Sequence, residues 1–93
     1  VMTVCAPKYP KPAEVKDGVH VITHADIRWQ RRDIKSVSLL ANVLAKQEAT
    51  KHKAREAWLI EGDYVSEGAV SNAYIVTKDG KIITHHADEH ILG

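Results

Sequence analysis

Two side chains that lie far apart in the sequence, Lys35 and Glu67, carry groups with complementary chemistry. Lys35 lies in the run RWQRRDIKS (28–36), and Glu67 lies in the run SEGAVSN (66–72). A lysine amine can form an imine with an aldehyde, and a carboxylate can keep the nitrogen of a pyridine ring protonated. Each residue alone is ordinary, because most lysines and glutamates are solvated surface charges. As a pair, they are the groups that an aldehyde-bearing pyridine cofactor requires.

Length and composition restrict the chain to one small domain. Its 93 residues are 44% hydrophobic and 27% charged, which is typical of a folded globular chain. Thirteen basic and twelve acidic side chains give a net charge of +1, whereas a dedicated nucleic-acid binder is strongly basic. No apolar run is long enough to cross a membrane. The single cysteine, Cys5, cannot form an intrachain disulfide, so we expect a reducing compartment, the cytoplasm.

The hydrophobic pattern predicts an α+β chain in the order strand, helix, strand, hairpin. Because the chain opens on Val1 rather than Met and stops at Gly93 without a polar tail, we interpret residues 1–93 as a single partial domain. Residues 1–17 hold all three prolines and are expected to form a linker or edge segment, whereas 18–93 hold the regular elements. The predicted elements are a strand at 19–24, a helix at 37–51 with Ser36 as its N-cap, a strand at 57–60, a strand remnant at 64–65, and a hairpin of 72–77 and 81–84 around Asp79 and Gly80.

Three expectations concern burial. The helix repeats large aliphatic residues at helical spacing, so this stripe should form the core: Leu39, Leu40, Val43 and Leu44. The link 25–34 should be extended and partly buried through Ile27, Trp29 and Ile34. Glu67 is expected in a turn between β elements, where Gly68 would allow the backbone to approach a ligand closely.

Several words of the sequence, taken in order, resemble the class IV aminotransferases, which are the fold-type IV pyridoxal phosphate enzymes. The words are DIKS (33–36), LL (39–40), NVLAKQEA (42–49), EAW (56–58) and SEG followed by SNA (66–73). The resemblance is closest to the D-amino acid (D-alanine) transaminases, and it extends over nearly the whole chain from Gly18 to Gly93. Several ordered words at such spacing are more specific than one short motif.

The resemblance implies that residues 18–93 are a fragment of the cofactor domain, the larger pseudo-barrel domain of such an enzyme, and it implies roles for four residues. Lys35 matches the lysine that binds pyridoxal 5'-phosphate covalently and transfers a proton, and Glu67 matches the acid that hydrogen-bonds the pyridine nitrogen. Ser71 falls in the serine-rich stretch that lines the cofactor, and Leu92 resembles the leucine that packs against the ring. The implied enzyme is a homodimer that moves an amino group from a D-amino acid such as D-alanine to a 2-oxo acid such as 2-oxoglutarate.

The resemblance also implies that the phosphate loop begins at or just after Gly93 and that the arginine gripping the phosphate lies outside the segment. Charge-assisted contacts to a phosphate are among the strongest available. We therefore expect the isolated 93 residues to bind the cofactor poorly and to have no turnover. Strong absorbance of bound cofactor from the 93 residues alone would contradict this expectation.

Other interpretations stay open or are disfavoured. Branched-chain aminotransferases and aminodeoxychorismate lyases share the fold, and a non-catalytic binding module would keep the fold without the activity. No metal is expected at the cluster formed by His85, His86 and His90, because adjacent residues on a strand face opposite sides. The basic run of Arg28, Arg31, Arg32 and Lys35 is expected to be a solvated or interface face rather than a nucleic-acid site, since the chain is nearly neutral.

Overall fold

The computed structural model describes residues 2–93, so Val1 of the predicted linker lies outside the described residues. The described part contains helices α1 (Pro12–Asp17) and α2 (Leu40–Lys51) and strands β1 (Val21–Ala25), β2 (Glu56–Glu61), β3 (Tyr64–Gly68), β4 (Tyr74–Val76) and β5 (Ile82–Thr84). The predicted α+β class is confirmed, as is the order strand, helix, strand, hairpin from β1 onward. No helix within residues 2–93 has the length and apolar character that a membrane crossing requires.

Strands β1, β2 and β3 form one sheet in that spatial order, and β4 and β5 form a separate two-stranded sheet. β1 and β2 are parallel, with Val21 opposite Glu56 and Ala25 opposite Ile60. A parallel pair needs a crossover connection, and α2 provides it. β3 then returns antiparallel to β2. The carboxyl end of β3 and the helix therefore lie on neighbouring parts of the fold, which is where the cavity described below opens.

The proline-rich start of the chain contains a short helix that the sequence interpretation did not include. Pro12 occupies the first turn of α1, where its missing N–H is not needed. The backbone N–H of Lys11 donates to Oε2 of Glu14 at 2.8 Å, which caps the helix. The role of residues 1–17 as a linker or edge segment stays a prediction.

Helix α2 begins later than predicted, at Leu40, and its N-cap position is Leu39, without a side-chain cap. The prediction of Ser36 as the N-cap is therefore wrong. The Ser36 hydroxyl instead accepts a hydrogen bond from the Ser38 N–H at 3.2 Å, so it closes a local turn in competition with the helix. As a result, Lys35 lies in a loop before α2 and not at the foot of the helix.

The buried face of α2 is its alanine face, so the predicted leucine-rich core is wrong. Ala45 and Ala49 are fully buried, whereas Leu40 is 70% exposed and Val43 is 58% exposed. The core cluster consists of small residues around one leucine: Ala45, Ala49, Ala57, Leu59 and Ala69. Alanine lets the helix approach β2 closely, and the larger side chains then point away from the sheet.

The burial pattern in the link between β1 and α2 also differs from the prediction. Ile27 is 62% exposed, and Trp29 and Ile34 are nearly half exposed, whereas Arg28 and Arg32 are buried. The predicted partial burial is therefore wrong for Ile27, and the most deeply buried side chains of the link are charged ones that were not predicted to be buried. The arginines are buried because carboxylates face them inside the fold, and a buried charge is stable only when it is paired in this way.

Strand β3 extends from Tyr64 to Gly68, beyond the strand remnant predicted at 64–65. Glu67 is therefore in a strand, and its predicted position in a turn is wrong. The final hairpin is confirmed, because β4 pairs with β5 and the turn between them includes Gly80 at φ 82°. A positive φ of this kind favours glycine, which explains the Asp-Gly signal in the sequence.

Candidate functional site

A cavity of about 790 Å³ opens beside α2, between the helix, the end of β3 and the last residues of the chain. Small-molecule sites commonly have volumes of roughly 300–1,000 Å³. All four predicted site residues line this cavity: Lys35, Glu67, Ser71 and Leu92. The amine and the carboxylate therefore share one space, although no local sequence pattern required it. Their roles remain predictions from the resemblance.

Lys35 presents a free amine to the cavity. Within residues 2–93 its side chain makes neither a hydrogen bond nor an ion pair. The neighbouring carboxylate of Asp33 binds Arg31 instead, at 2.9 Å from Nε and 2.8 Å from Nη2. The hydrogen bond from Arg31 lowers the pKa of Asp33 below its ordinary value. Asp33 is thus paired with Arg31, and Lys35 is left available for a ligand.

The second lysine at the cavity, Lys46, is engaged. Its Nζ donates to the carbonyl of Arg55 and lies 3.8 Å from Oε1 of Glu56. An amine that already donates to a carbonyl and faces a carboxylate is a weaker nucleophile than an unengaged one. The two lysines are therefore distinguishable by their surroundings, and Lys35 is the better candidate to react with an aldehyde.

A bulge in β3 turns Glu67 toward the interior. Trp58 pairs with Gly68 while Ile60 pairs with Val65, so β3 carries one extra residue in this interval. The regular alternation of sides is broken there, and Ser66, Glu67 and Gly68 are buried in succession. Without the bulge, adjacent strand residues would face opposite sides of the sheet.

The buried Glu67 carboxylate has three donors in the described structure. Arg28 Nη1 and the Leu92 N–H donate to Oε1, the latter at 2.8 Å, and the Gly93 N–H donates to Oε2 at 3.1 Å. A Cβ at Gly93 would collide with Oδ1 of Asn72, so any larger residue there would require the Asn72 side chain to move. Its backbone can therefore approach Glu67 closely. Oε2 accepts one bond fewer than Oε1 and keeps acceptor capacity at the cavity.

Ser71 is held by a buried carboxylate, Glu56, that the sequence interpretation did not single out. The Ser71 hydroxyl donates to Oε2 of Glu56 at 2.7 Å, and the Val70 N–H donates to the same oxygen at 3.2 Å. Gly68 donates its N–H to the Ser71 carbonyl at 2.7 Å. The close backbone approach at Gly68, which was expected to be to a ligand, is to Ser71 of the loop that follows it. Only the position of Glu56 at the head of an apolar strand could have drawn attention to it.

A second missed pair, Asp26 and Arg28, lies behind Glu67. Arg28 Nε donates to Asp26 Oδ1 at 2.9 Å, Nη2 donates to Oδ2 at 2.7 Å, and the Asp26 side chain is fully buried. Arg32 binds Glu61 at 2.5 Å. The expectation of a solvated or interface face is therefore wrong for Arg28 and Arg32, because they are buried among carboxylates.

The histidines of the last loop have other partners. The His85 ring lies 5.4 Å from the ring of Tyr64, and His90 Nδ1 lies 3.5 Å from Oε1 of Glu61. Among residues 2–93, no group of three or more His, Cys, Asp or Glu side chains has the arrangement of a metal site.

The pairing of Asp26 with Arg28 makes the stability of the fold depend on pH in the acid range. Burial raises the pKa of Asp26, but hydrogen bonds from Arg28 and Ser66 outweigh burial, so the pKa lies below its ordinary value of 3.8. A carboxylate whose pKa is lower in the folded state stabilises the fold when it is ionised. This stabilisation is present above the ordinary pKa and is lost as the pH falls through the folded one.

We expect Asp26→Asn to destabilise the full-length protein by about 3 kcal/mol near neutral pH, since a buried charged pair loses one partner. The difference from the wild type should be constant above about pH 5 and should shrink below about pH 4. Urea unfolding at a series of pH values measures it. Asp79→Asn is the control, because Asp79 is exposed on the β4–β5 turn and its loss should matter little. A difference that grows on acidification would contradict the assignment.

Comparison with known proteins identifies the family. All 93 residues match the family model described as amino-transferase class IV. The chain belongs to the class IV aminotransferases, which confirms the family predicted from the sequence words.

Individual relatives agree with this family. The chain is 53% identical over 85 residues to the D-alanine aminotransferase of Staphylococcus epidermidis, an alignment that covers 90% of this chain and 30% of that protein. It is 46% identical over 93 residues to the D-alanine aminotransferase of Staphylococcus haemolyticus, covering 99% and 33%. It is 45% identical over 93 residues to that of Listeria monocytogenes, covering 99% and 32%. The chain spans about a third of the length of these relatives.

Proposed function

We propose that this chain is the part of a transaminase that carries the reactive lysine and the acid partner of pyridoxal 5'-phosphate. Class IV aminotransferases depend on this cofactor. The observation that carries the proposal is the shared cavity, in which an unengaged amine and a buried carboxylate face one space. The names of the relatives, D-alanine aminotransferases, support a D-amino acid such as D-alanine as the amino donor.

The residues at the cavity fit the cofactor in chemistry and in space. The amine of Lys35 suits an aldehyde, the free acceptor on Glu67 Oε2 suits a protonated ring nitrogen, and Leu92 supplies an apolar surface for a ring. Among residues 2–93, no arginine lines the cavity. The arginine that grips the phosphate therefore stays an expectation from the resemblance.

Each residue then has a defined task. When bound, pyridoxal phosphate supplies an aldehyde that condenses with amines and a ring that withdraws electrons from the substrate Cα. Lys35 would hold the cofactor through its amine and, once released, would be the base that takes the proton from the substrate Cα and returns it. Glu67 holds the proton at the ring nitrogen, and Ser71 and Leu92 keep the ring in place. The amino group passes from the D-amino acid to a 2-oxo acid.

Assays of the full-length protein test the substrate. With 2-oxoglutarate as acceptor, we expect amino transfer from D-alanine and little from L-leucine. Transfer from L-leucine alone would instead indicate a branched-chain aminotransferase, and conversion of aminodeoxychorismate would indicate the lyase. If none of the three reacts and borohydride reduction with pyridoxal phosphate leaves Lys35 unlabelled, the chain belongs to a non-catalytic module and the proposal is wrong.

We also propose that the full-length protein is a cytoplasmic homodimer. The lone Cys5, exposed and free, supports a reducing compartment. The β4–β5 hairpin supports the dimer, because it has an apolar surface that a second subunit could cover: Ile75, Val76 and Ile82 are each at least 65% exposed. Light scattering measures the mass in solution, and a monomer would contradict the dimer.

A further inference from the structure

Three charged side chains form a buried row that begins at the cavity and leads away from it. Glu67 lines the cavity, Arg28 contacts Glu67, and Asp26 contacts Arg28. Their side chains are at most 5% exposed. Neither Arg28 nor Asp26 lines the cavity, so neither touches a ligand there.

Asp26 fixes the plane of the Arg28 guanidinium. Both carboxylate oxygens are used, since Nε donates to Oδ1 at 2.9 Å and Nη2 donates to Oδ2 at 2.7 Å. The Ser66 hydroxyl donates to the same Oδ2 at 2.8 Å and holds the carboxylate from the strand side. This paired geometry leaves Nη1 pointing at Glu67, and lysine could not reproduce it with one ammonium group.

Arg28 in turn occupies one oxygen of Glu67 and leaves the other available. Oε1 accepts from Arg28 Nη1 and from the Leu92 N–H, so both of its lone pairs are used. Oε2 accepts only from the Gly93 N–H within residues 2–93. The carboxylate is therefore oriented with one acceptor position toward the cavity.

The charges of the row leave a surplus at Glu67. One guanidinium stands between two carboxylates, so the three residues carry one net negative charge. Arg32 adds to this cluster, because its Nη1 lies 3.5 Å from Oδ2 of Asp26 and also binds Glu61. With Arg32 and Glu61 included, two guanidinium groups face three carboxylates, so the net charge of the cluster is still one negative. Without Asp26, Arg28 and Arg32 would face only Glu67 and Glu61, and the surplus negative charge beside Glu67 would be lost.

We propose that Asp26 and Arg28 are positioning residues that orient Glu67 and preserve its negative charge for a protonated ring nitrogen. This inference rests on the proposed function, because it assumes that a protonated pyridine ring is the ligand. It assigns to Asp26 a role in cofactor binding although Asp26 lies one side chain behind the residue that contacts the ligand.

The test compares Asp26→Asn and Arg28→Lys in the full-length protein, using pyridoxal phosphate itself as the probe. The apo-protein is titrated with the cofactor, and the dissociation constant and the absorbance spectrum of the bound form are recorded. We expect Asp26→Asn to weaken binding about 10-fold and to shift the spectrum, by analogy with the carboxylates that orient metal ligands from behind. Arg28→Lys should lose affinity too, because it keeps the charge but not the two-point contact with Asp26.

Leu59→Ala is the matched control for loss of stability. Leu59 is buried in the core, carries no charge and does not line the cavity, so its truncation should lower the melting temperature without changing the cofactor spectrum. If Asp26→Asn does not fold, the affinity and spectrum of Arg28→Lys decide the question.

The outcomes separate this inference from the function on which it rests. A wild-type protein that binds no cofactor overturns the proposed function. A wild type that binds it, with Asp26→Asn and Arg28→Lys matching the wild type in affinity and spectrum, overturns the role of the row and leaves the function standing.

Discussion

Lys35→Ala in the full-length protein is expected to lower kcat for amino transfer by at least about 10⁴-fold, because it removes both the covalent attachment and the proton carrier. The structure gives a reason to choose Lys35 over the other lysine at the cavity. Lys46 is bound to the Arg55 carbonyl, whereas Lys35 has no partner within residues 2–93. Borohydride reduction in the presence of pyridoxal phosphate, followed by peptide mapping, should therefore label Lys35 and not Lys46.

Two further measurements sharpen this prediction. Added methylamine should restore part of the activity of Lys35→Ala, since a free amine can replace the missing proton carrier in the space that the side chain vacates. Lys78→Ala, a change on the exposed β4–β5 turn, is the control and should have wild-type activity. Label at Lys46, or an active Lys35→Ala protein without added amine, would show that the wrong lysine has been chosen.

The ordered words of the sequence singled out Lys35 and Glu67, which the fold places at one cavity, and the clear hydrophobic periods predicted the main elements. Strands β1 and β2, helix α2 and the final hairpin follow from these periods and from the Asp79-Gly80 turn. The start of α2 was predicted wrongly because of a local hydrogen bond. Ser36 can cap either a helix or a short turn, and the sequence does not state which of the two forms.

The burial pattern could not be obtained from hydrophobicity. A helix with alanines on one face and leucines on another can bury either face, and the close approach of α2 to β2 selected Ala45 and Ala49. The burial pattern of the link 25–34 differs from the prediction for a related reason. Arg28 is buried against Glu67, which comes 39 positions later in the chain. No local sequence pattern connects the two residues, so the burial of Arg28 could not be predicted.

The orientation of Glu67 depends on a feature that sequence patterns do not report. One extra residue in β3 breaks the alternation of sides and allows Ser66 and Glu67 to be buried together. The resemblance could therefore suggest a role for Glu67, but not the way in which the fold turns its carboxylate inward. The same is true of Glu56, whose contacts to Ser71 and Val70 exist only once the loop after β3 has formed.

Glu67→Gln is expected to lower kcat about 10²- to 10³-fold with a smaller change in KM for the amino donor, because the ring nitrogen loses the acid that keeps it protonated. The bound cofactor should show an altered absorbance spectrum. Glu48→Gln is the matched control: it makes the same chemical change on α2, where the Glu48 carboxylate binds Lys51 and His52 and no other side chain of residues 2–93. This control should have wild-type kinetics and spectrum.

Glu67→Asp distinguishes charge from position at this site. Aspartate keeps the negative charge but is one methylene shorter, so it cannot hold Arg28 and also receive the N–H groups of Leu92 and Gly93. If position matters as well as charge, Glu67→Asp should have a kcat between those of the wild type and Glu67→Gln. If Glu67→Asp is as active as the wild type, charge alone is sufficient. If Glu67→Gln keeps the wild-type kcat and spectrum, Glu67 does not contact the ring nitrogen, and the cavity must bind the cofactor in another orientation.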